Sequence, residues 1–166
     1  HAALHRALYE YQGPVAVRYP RGGELAFRED TMANNVAVVR AGSDITIVSY
    51  GILLNEAISA AQMLQENGFS TEIIKLNELT GGYEEALASV RKTGRVVVAE
   101  ECVEAGCVAQ TFALALSEAG VFPRAFRAVN LGNRFIPQAS VRELYARYGI
   151  DANGIADAAR EALKHD

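Results

Sequence analysis

Apolar and polar residues recur along this chain with two periods, and the two periods take turns. Four short runs dense in apolar and β-branched residues, at 45–50, 71–76, 95–99 and 124–129, read as strands. Their starts lie about 25 residues apart, the length of a strand plus a crossover helix. The first and third runs are almost continuously apolar, as expected of strands covered on both faces. Between the runs the period lengthens to that of a helix. Leu53, Ala57, Ala60, Ala61 and Leu64 share one helical face, and Asn67-Gly68 supplies the stop. Tyr83, Leu87 and Val90 mark a shorter helix ended by Gly94. Val108, Phe112, Ala115, Leu116 and Ala119 mark a third, ended by Gly120. Ser140 and Glu143 have the spacing of a capping box, S-x-x-E, and predict a helix running to Tyr148-Gly149. Asp151 then caps a last helix with the stripe Ile155, Ala158, Ala159 and Ala162. The alternation predicts an α/β fold: a mostly parallel open sheet, helices on both faces, right-handed crossovers.

The beginning of the chain fits this rhythm less well. Leu4, Leu8 and Tyr11 form a helical stripe, Gly13-Pro14 breaks it, and residues 15–19 read as a strand ended by Pro20-Arg21-Gly22-Gly23. Residues 28–35 are polar and read as a linker. The expected division is therefore residues 1–35, the last helix and strand of a different α/β domain plus a linker, and residues 36–166, one compact domain. The chain does not begin with Met and reads as a fragment or a processed chain.

Composition narrows the functional classes. Half of the 166 residues are hydrophobic, enough to bury a core. Sixteen Lys and Arg stand against 20 Asp and Glu, so there is no basic excess to attract nucleic acid or an anionic membrane. No apolar run approaches the ~20 residues of a membrane span, and the start of the sequence, His1-Ala2-Ala3-Leu4-His5-Arg6, shows no signal-peptide core. Cys102 and Cys107 are too few for a disulfide framework or a zinc site, and the three histidines lie at the chain ends. The cysteines read as reduced, packed thiols of a cytoplasmic protein. Without an internal His to act as base, neither is a credible nucleophile.

Four segments remain as candidates for chemistry. In Arg18-Tyr19-Pro20-Arg21-Gly22-Gly23 a strand end carries guanidinium groups and glycines that admit close backbone approach. That is either an anion clamp or a surface turn with solvated arginines, and spacing alone favours the turn. Glu100-Glu101 ends the third strand. Neighbours in a strand point to opposite faces, so the pair cannot share one proton as a dyad would. One carboxylate that caps or pairs and one that is solvated is the simpler outcome; a role at a domain interface is the other. Glu104-Ala105-Gly106-Cys107 precedes a helix and offers backbone N–H groups to an anion, but it has neither G-x-G-x-x-G nor a Walker A pattern. Gly81-Gly82 poses the same alternatives. Residues 131–138 form a turn-rich segment with an apolar tip, a connection or an interface loop.

Together these segments resemble the C-terminal portion of the 1-deoxy-D-xylulose-5-phosphate synthase family, within the transketolase superfamily. Gly13-Pro14-Val15-Ala16-Val17-Arg18-Tyr19-Pro20-Arg21-Gly22 resembles the end of that family's pyrimidine-binding domain. Residues 44–51 resemble the first strand of the transketolase C-terminal domain, and Val97-Val98-Ala99-Glu100-Glu101 its V-x-E-E strand end. Phe135-Ile136-Pro137-Gln138, followed by Gly149-Ile150-Asp151-Ala152-Asn153-Gly154-Ile155, is similar to the family's C-terminal signature. The resemblance covers essentially the whole chain. It departs at Lys75-Leu76-Asn77-Glu78, where the family has K-P-L-D, and at residues 105–109, where the family has G-G-x-G-S.

The resemblance implies a cytoplasmic homodimeric transferase that condenses pyruvate with D-glyceraldehyde 3-phosphate and releases CO2, using thiamine diphosphate and Mg2+. It implies that Arg21 binds the substrate phosphate; Arg18, Glu100 and Glu101 stand beside it as this sequence's own candidates for an interface or the edge of the site. The cofactor-activating Glu and the diphosphate motif belong to parts of the family absent from this sequence. The chain alone is therefore expected to bind no cofactor, and to serve as a structural, dimer-supporting module. A transketolase, the β subunit of a 2-oxo acid dehydrogenase, and a non-catalytic anion-binding regulatory module are the alternatives.

Overall fold

A computed structural model of the chain describes residues 1–20, 22–23 and 25–164. Five strands form one sheet: β1 (Val36–Arg40), β2 (Ile45–Ser49), β3 (Thr71–Leu76), β4 (Arg95–Ala99) and β5 (Ala125–Val129), in the order β1-β3-β2-β4-β5. The pairs β3–β2, β2–β4 and β4–β5 are parallel, and β1 runs antiparallel to β3 along one edge. Four of the strands lie where the apolar runs predict them. β1 carries no helix crossover and lies outside those runs. It is fixed by pairing with β3, a partner some 35 residues later, so local pattern alone does not reveal it.

Helices α2 (Leu54–Glu66) and α6 (Ala152–Leu163) cover one face of the sheet; α3 (Glu84–Thr93) and α4 (Val108–Glu118) cover the other. A short 3-10 turn, Gly51–Leu53, leads into α2. Side chains alternate between the two cores along each central strand. On β2, Ile45 and Ile47 face α2 and α6, whereas Val48 packs with α3 and α4. Every residue of β2 is buried, as its near-continuous apolar run requires. The α2–α6 contact is built from small side chains: Ala57 and Ala60 meet Ala156, Ala159 and Ala162. Alanines let the two helices approach closely without a gap. On the opposite face Phe112 is fully buried and meets the ring of Tyr83 edge-on, with centroids 5.5 Å apart.

Helix ends follow their sequence signals. Gly94 and Gly149 close α3 and α5 (Val141–Tyr148) in the left-handed conformation, with φ of +71° and +65°. Both halves of the Ser140–Glu143 capping box are present, and the Asp151 side chain accepts the N–H of Gly154. A further cap comes from a distant residue: the Glu56 carboxylate on α2 accepts the Ala152 N–H at the start of α6, at 2.8 Å.

The first segment forms one helix, α1 (Ala2–Tyr9), with no buried residue. Residues 15–19, predicted as a strand, form no regular element and pair with no strand among the described residues. A segment becomes a strand only when a neighbour takes up its N–H and C=O groups, and among the described residues no strand does so here. The linker is stitched to the sheet instead of floating free. Asn77 on the turn after β3 donates to the backbone oxygen of Asn34, at 2.9 Å. Arg6 of α1 reaches Met32 O (2.9 Å) and the Asn35 side chain (3.2 Å). The Phe27 backbone donates to Asn55 on α2, and its ring joins Leu54, Ala61 and Ile73.

Candidate functional site

In an open α/β sheet, ligands collect at the carboxyl ends of the strands, where neighbouring crossovers leave for opposite faces. Here that point lies between β2, which feeds α2 on one face, and β4, which feeds α4 on the other. The residues that follow these strands are Tyr50 and Glu100-Glu101. The structure brings them together with Arg18 of the first segment.

Glu100 and Glu101 point to opposite faces, as strand geometry requires. Glu100 is completely buried against α4. Its two carboxylate oxygens accept the backbone N–H groups of Val108 (3.0 Å) and Ala109 (2.9 Å), the first residues of α4. The Tyr50 hydroxyl donates to the same carboxylate at 3.0 Å. The chain thus supplies its own anion to the positive end of α4. Of the two alternatives for Glu104-Ala105-Gly106-Cys107, the plain strand-to-helix turn therefore holds and the open anion cradle does not. Further donors there are also engaged: Ala105 N–H by Asn133 and Gly106 N–H by Gln110. Burial and the adjacent Glu100 charge together drive the Tyr50 hydroxyl well above its ordinary pKa.

Glu101 lies on the other face, half-exposed. Tyr145 of α5 donates its hydroxyl to Glu101 Oε2 at 2.8 Å. Arg18 donates to the Glu101 backbone oxygen at 3.0 Å, stands 3.9 Å from Oε2, and holds its guanidinium 5.9 Å from the centre of the Tyr50 ring. Three of the four predicted site residues therefore meet at one corner. The fourth, Arg21, lies outside the described residues. Tyr50 and Tyr145 complete the corner, and sequence reasoning misses both. In the sequence Tyr50 reads only as the end of an apolar strand, and Tyr145 falls on a helix marked only by its caps.

The other candidates resolve differently. Burial, then the Glu100 carboxylate, pushes the Cys102 thiol up to about 12, and burial raises Cys107 as well. Thiols raised in this way carry little thiolate near neutral pH, so neither is an activated nucleophile. Gly81 and Gly82 line an open depression between α3 and α4 whose charged side chains are Glu84 and Glu118, a wall that repels anions. Gly82, at φ +69°, instead admits Asn35: a Cβ there would lie 2.5 Å from the Asn35 side-chain nitrogen. Phe135 is fully exposed at the tip of the loop after β5. The loop is tied to the strand-end corner by Leu131 N–H to Cys102 O, at 3.0 Å.

Bound Mg2+ needs converging oxygen ligands, and a diphosphate needs free donors. Among the described residues no group of three His, Cys, Asp or Glu side chains converges, and the start of α4 is taken by Glu100. Among the described residues, no helix is long and apolar enough to cross a membrane.

The fold and this corner can be set beside known proteins. The sequence profile of the family described as "Transketolase, C-terminal domain" matches residues 34–155, beginning two residues before β1. The chain is 34% identical to 1-deoxy-D-xylulose-5-phosphate synthase of Syntrophotalea carbinolica over 98% of its length, and 32% identical to that of Heliobacterium modesticaldum over 97%. It spans about a quarter of the length of these relatives, 27% and 26% respectively. A solved structure described as a split-gene transketolase, an inactive β4 tetramer, superposes with a TM-score of 0.69 at 31% identity, over 78% of this chain and 42% of the other. A transketolase mutant from Pichia stipitis shares the fold, with a TM-score of 0.61 at 15% identity over 81% of this chain and 19% of that one. With the family profile covering residues 34–155, most of its length, the chain belongs to the transketolase C-terminal domain family.

Proposed function

We propose that this chain is the C-terminal portion of a thiamine-diphosphate-dependent synthase that condenses pyruvate with D-glyceraldehyde 3-phosphate, giving 1-deoxy-D-xylulose 5-phosphate and CO2. The observation that carries the reading is the extent of the similarity. It reaches 98% of the chain at 34% identity, and so runs beyond the family profile into the first segment and Arg18-Tyr19-Pro20-Arg21-Gly22. Residues 1–35 are the end of the pyrimidine-binding domain plus the linker, and residues 36–166 are the transketolase C-terminal domain. Arg21 binds the phosphate of glyceraldehyde 3-phosphate, a role suited to a planar guanidinium with paired donors. The remaining domains of a cytoplasmic homodimer hold thiamine diphosphate and Mg2+. This chain supports the dimer and is inactive by itself.

The assembled enzyme that contains this chain tests the reading directly. It is expected to form 1-deoxy-D-xylulose 5-phosphate from pyruvate and glyceraldehyde 3-phosphate, and not to convert xylulose 5-phosphate with ribose 5-phosphate. Turnover of the second pair alone overturns it. Decarboxylation of pyruvate by the isolated chain, with thiamine diphosphate and Mg2+ supplied, overturns the inactivity of the fragment. A second reading, one subunit of a two-chain transketolase, is favoured by the 31% identity to the split-gene transketolase. The same pair of assays separates the two.

A further inference from the structure

We infer that Glu101 and Tyr145 are positioning residues that latch Arg18, and with it the end of the first segment, onto the carboxyl edge of the sheet, setting the affinity for the phosphorylated substrate. The inference rests on the function proposed above, in which Arg21, three residues after Arg18, binds the substrate phosphate.

The latch joins parts of the chain that are far apart in sequence. Arg18 and Glu101 are separated by 83 residues, yet the guanidinium donates to the Glu101 backbone oxygen at 3.0 Å and lies 3.9 Å from Oε2. The carboxylate is itself aimed. Tyr145 donates to the same Oε2 at 2.8 Å, and the Tyr145 ring is buried in the core formed with α6. Tyr145 stands on α5, whose start is fixed by its capping box. On the opposite side Tyr50 offers its ring face to the guanidinium and is held by Glu100. Each group touching Arg18 is therefore oriented by the rigid domain. The start of the first segment is held by Arg6 and Tyr11, which reach Met32, Asn35 and Glu78, whereas residues 15–19, where Arg18 lies, pair with no strand among those described.

The contact is a half-exposed ion pair, with 57% of the Arg18 side chain and 36% of the Glu101 side chain accessible. Such pairs contribute little to stability. What this one adds is geometric. Fixing Arg18 anchors the chain three positions before Arg21 in sequence, and small displacements of a binding group weaken its grip on substrate.

The test uses the assembled enzyme with Arg18→Ala, Glu101→Gln, Tyr145→Phe and the double variant Arg18→Ala/Glu101→Gln. Each single change is expected to raise the KM for glyceraldehyde 3-phosphate about three- to tenfold, leaving the KM for pyruvate and the Tm in place. The double variant is expected to be no worse than the more impaired of its two single variants, because both changes open the same latch. Unchanged KM values, a parallel rise for both substrates, additive effects in the double variant, or a KM rise that tracks a falling Tm would overturn the latch. Arg21→Ala is the internal reference. A selective KM rise in Arg21→Ala with none in the latch variants sinks the latch and leaves the proposed function standing; no product at all in the unaltered enzyme sinks the function first.

Discussion

The buried carboxylate of Glu100 caps α4 from outside that helix: one oxygen accepts the N–H of Ala109 at 2.9 Å, nine residues further along the chain. With Val108 and Tyr50 it satisfies three donors, two of which a helix start would otherwise leave unpaired. Glu100→Ala is expected to destabilise the domain by about 2–4 kcal/mol, since it leaves buried donors without partners. Tyr50→Phe removes one of the three bonds and is expected to cost about 1 kcal/mol. Urea unfolding followed by circular dichroism measures both; equal losses in the two variants would contradict the capping role.

The Gly149-Ile150-Asp151-Ala152-Asn153-Gly154-Ile155 motif is a tight corner between α5 and α6. Gly149 takes φ +65°, Ile150 and Ile155 are fully buried, and Asp151 caps α6 through the Gly154 N–H at 2.9 Å. A Cβ on Gly154 would lie 2.0 Å from the Gly149 backbone oxygen. Gly154→Ala is therefore expected to destabilise strongly, by about 2–4 kcal/mol, because neither backbone can move without losing the cap. Thermal unfolding checks this, with Asn153→Ala as the mild comparison on the same turn of helix.

Glu72, buried on β3, predicts a dependence on pH. Burial pushes its carboxyl up, but the hydrogen bonds from Lys92, Ser89 and the Gly42 backbone outweigh burial and hold it below the usual carboxylate range. A group lowered by folding stabilises the fold above its unfolded pKa, and that contribution disappears as the pH falls through its folded value. The stability of the domain is expected to decline on the acid side of the ordinary carboxyl range, and more shallowly in Glu72→Gln. Denaturant midpoints between neutral pH and the acid limit of folding test it; an unchanged acid limb in the variant would refute the assignment.

Cys102 and Cys107 are expected to resist alkylation in the folded state, because both thiols lie above their ordinary pKa and Cys102 reaches about 12. Mass spectrometry after iodoacetamide at pH 8 is expected to show slow native labelling and rapid labelling in denaturant. Fast native modification of Cys102 would show that its thiolate is more accessible than its burial implies.

Arg21→Ala in the assembled enzyme is expected to raise the KM for glyceraldehyde 3-phosphate far more than the KM for pyruvate, the mark of a lost phosphate contact. Equal effects on both substrates would count against that role.

Much of the architecture follows from the sequence by itself, because its signals are local. The helix and strand periods, the glycine stops after α3 and α5, the Ser140–Glu143 box and the Asp151 cap each depend on residues within a few positions of one another. Even the separation of Glu100 from Glu101 onto opposite faces follows from the pleat of a single strand. Tertiary structure alone decided the rest. β1 exists because β3 lies beside it, and residues 15–19 stay unpaired because no strand among the described residues lies beside them. Glu100 became a cap for α4, and Arg18 a partner of Glu101 and Tyr50, through contacts between residues far apart in sequence. The satisfaction of a buried charge or an edge N–H depends on what the fold brings next to it, and no window along the chain holds that information.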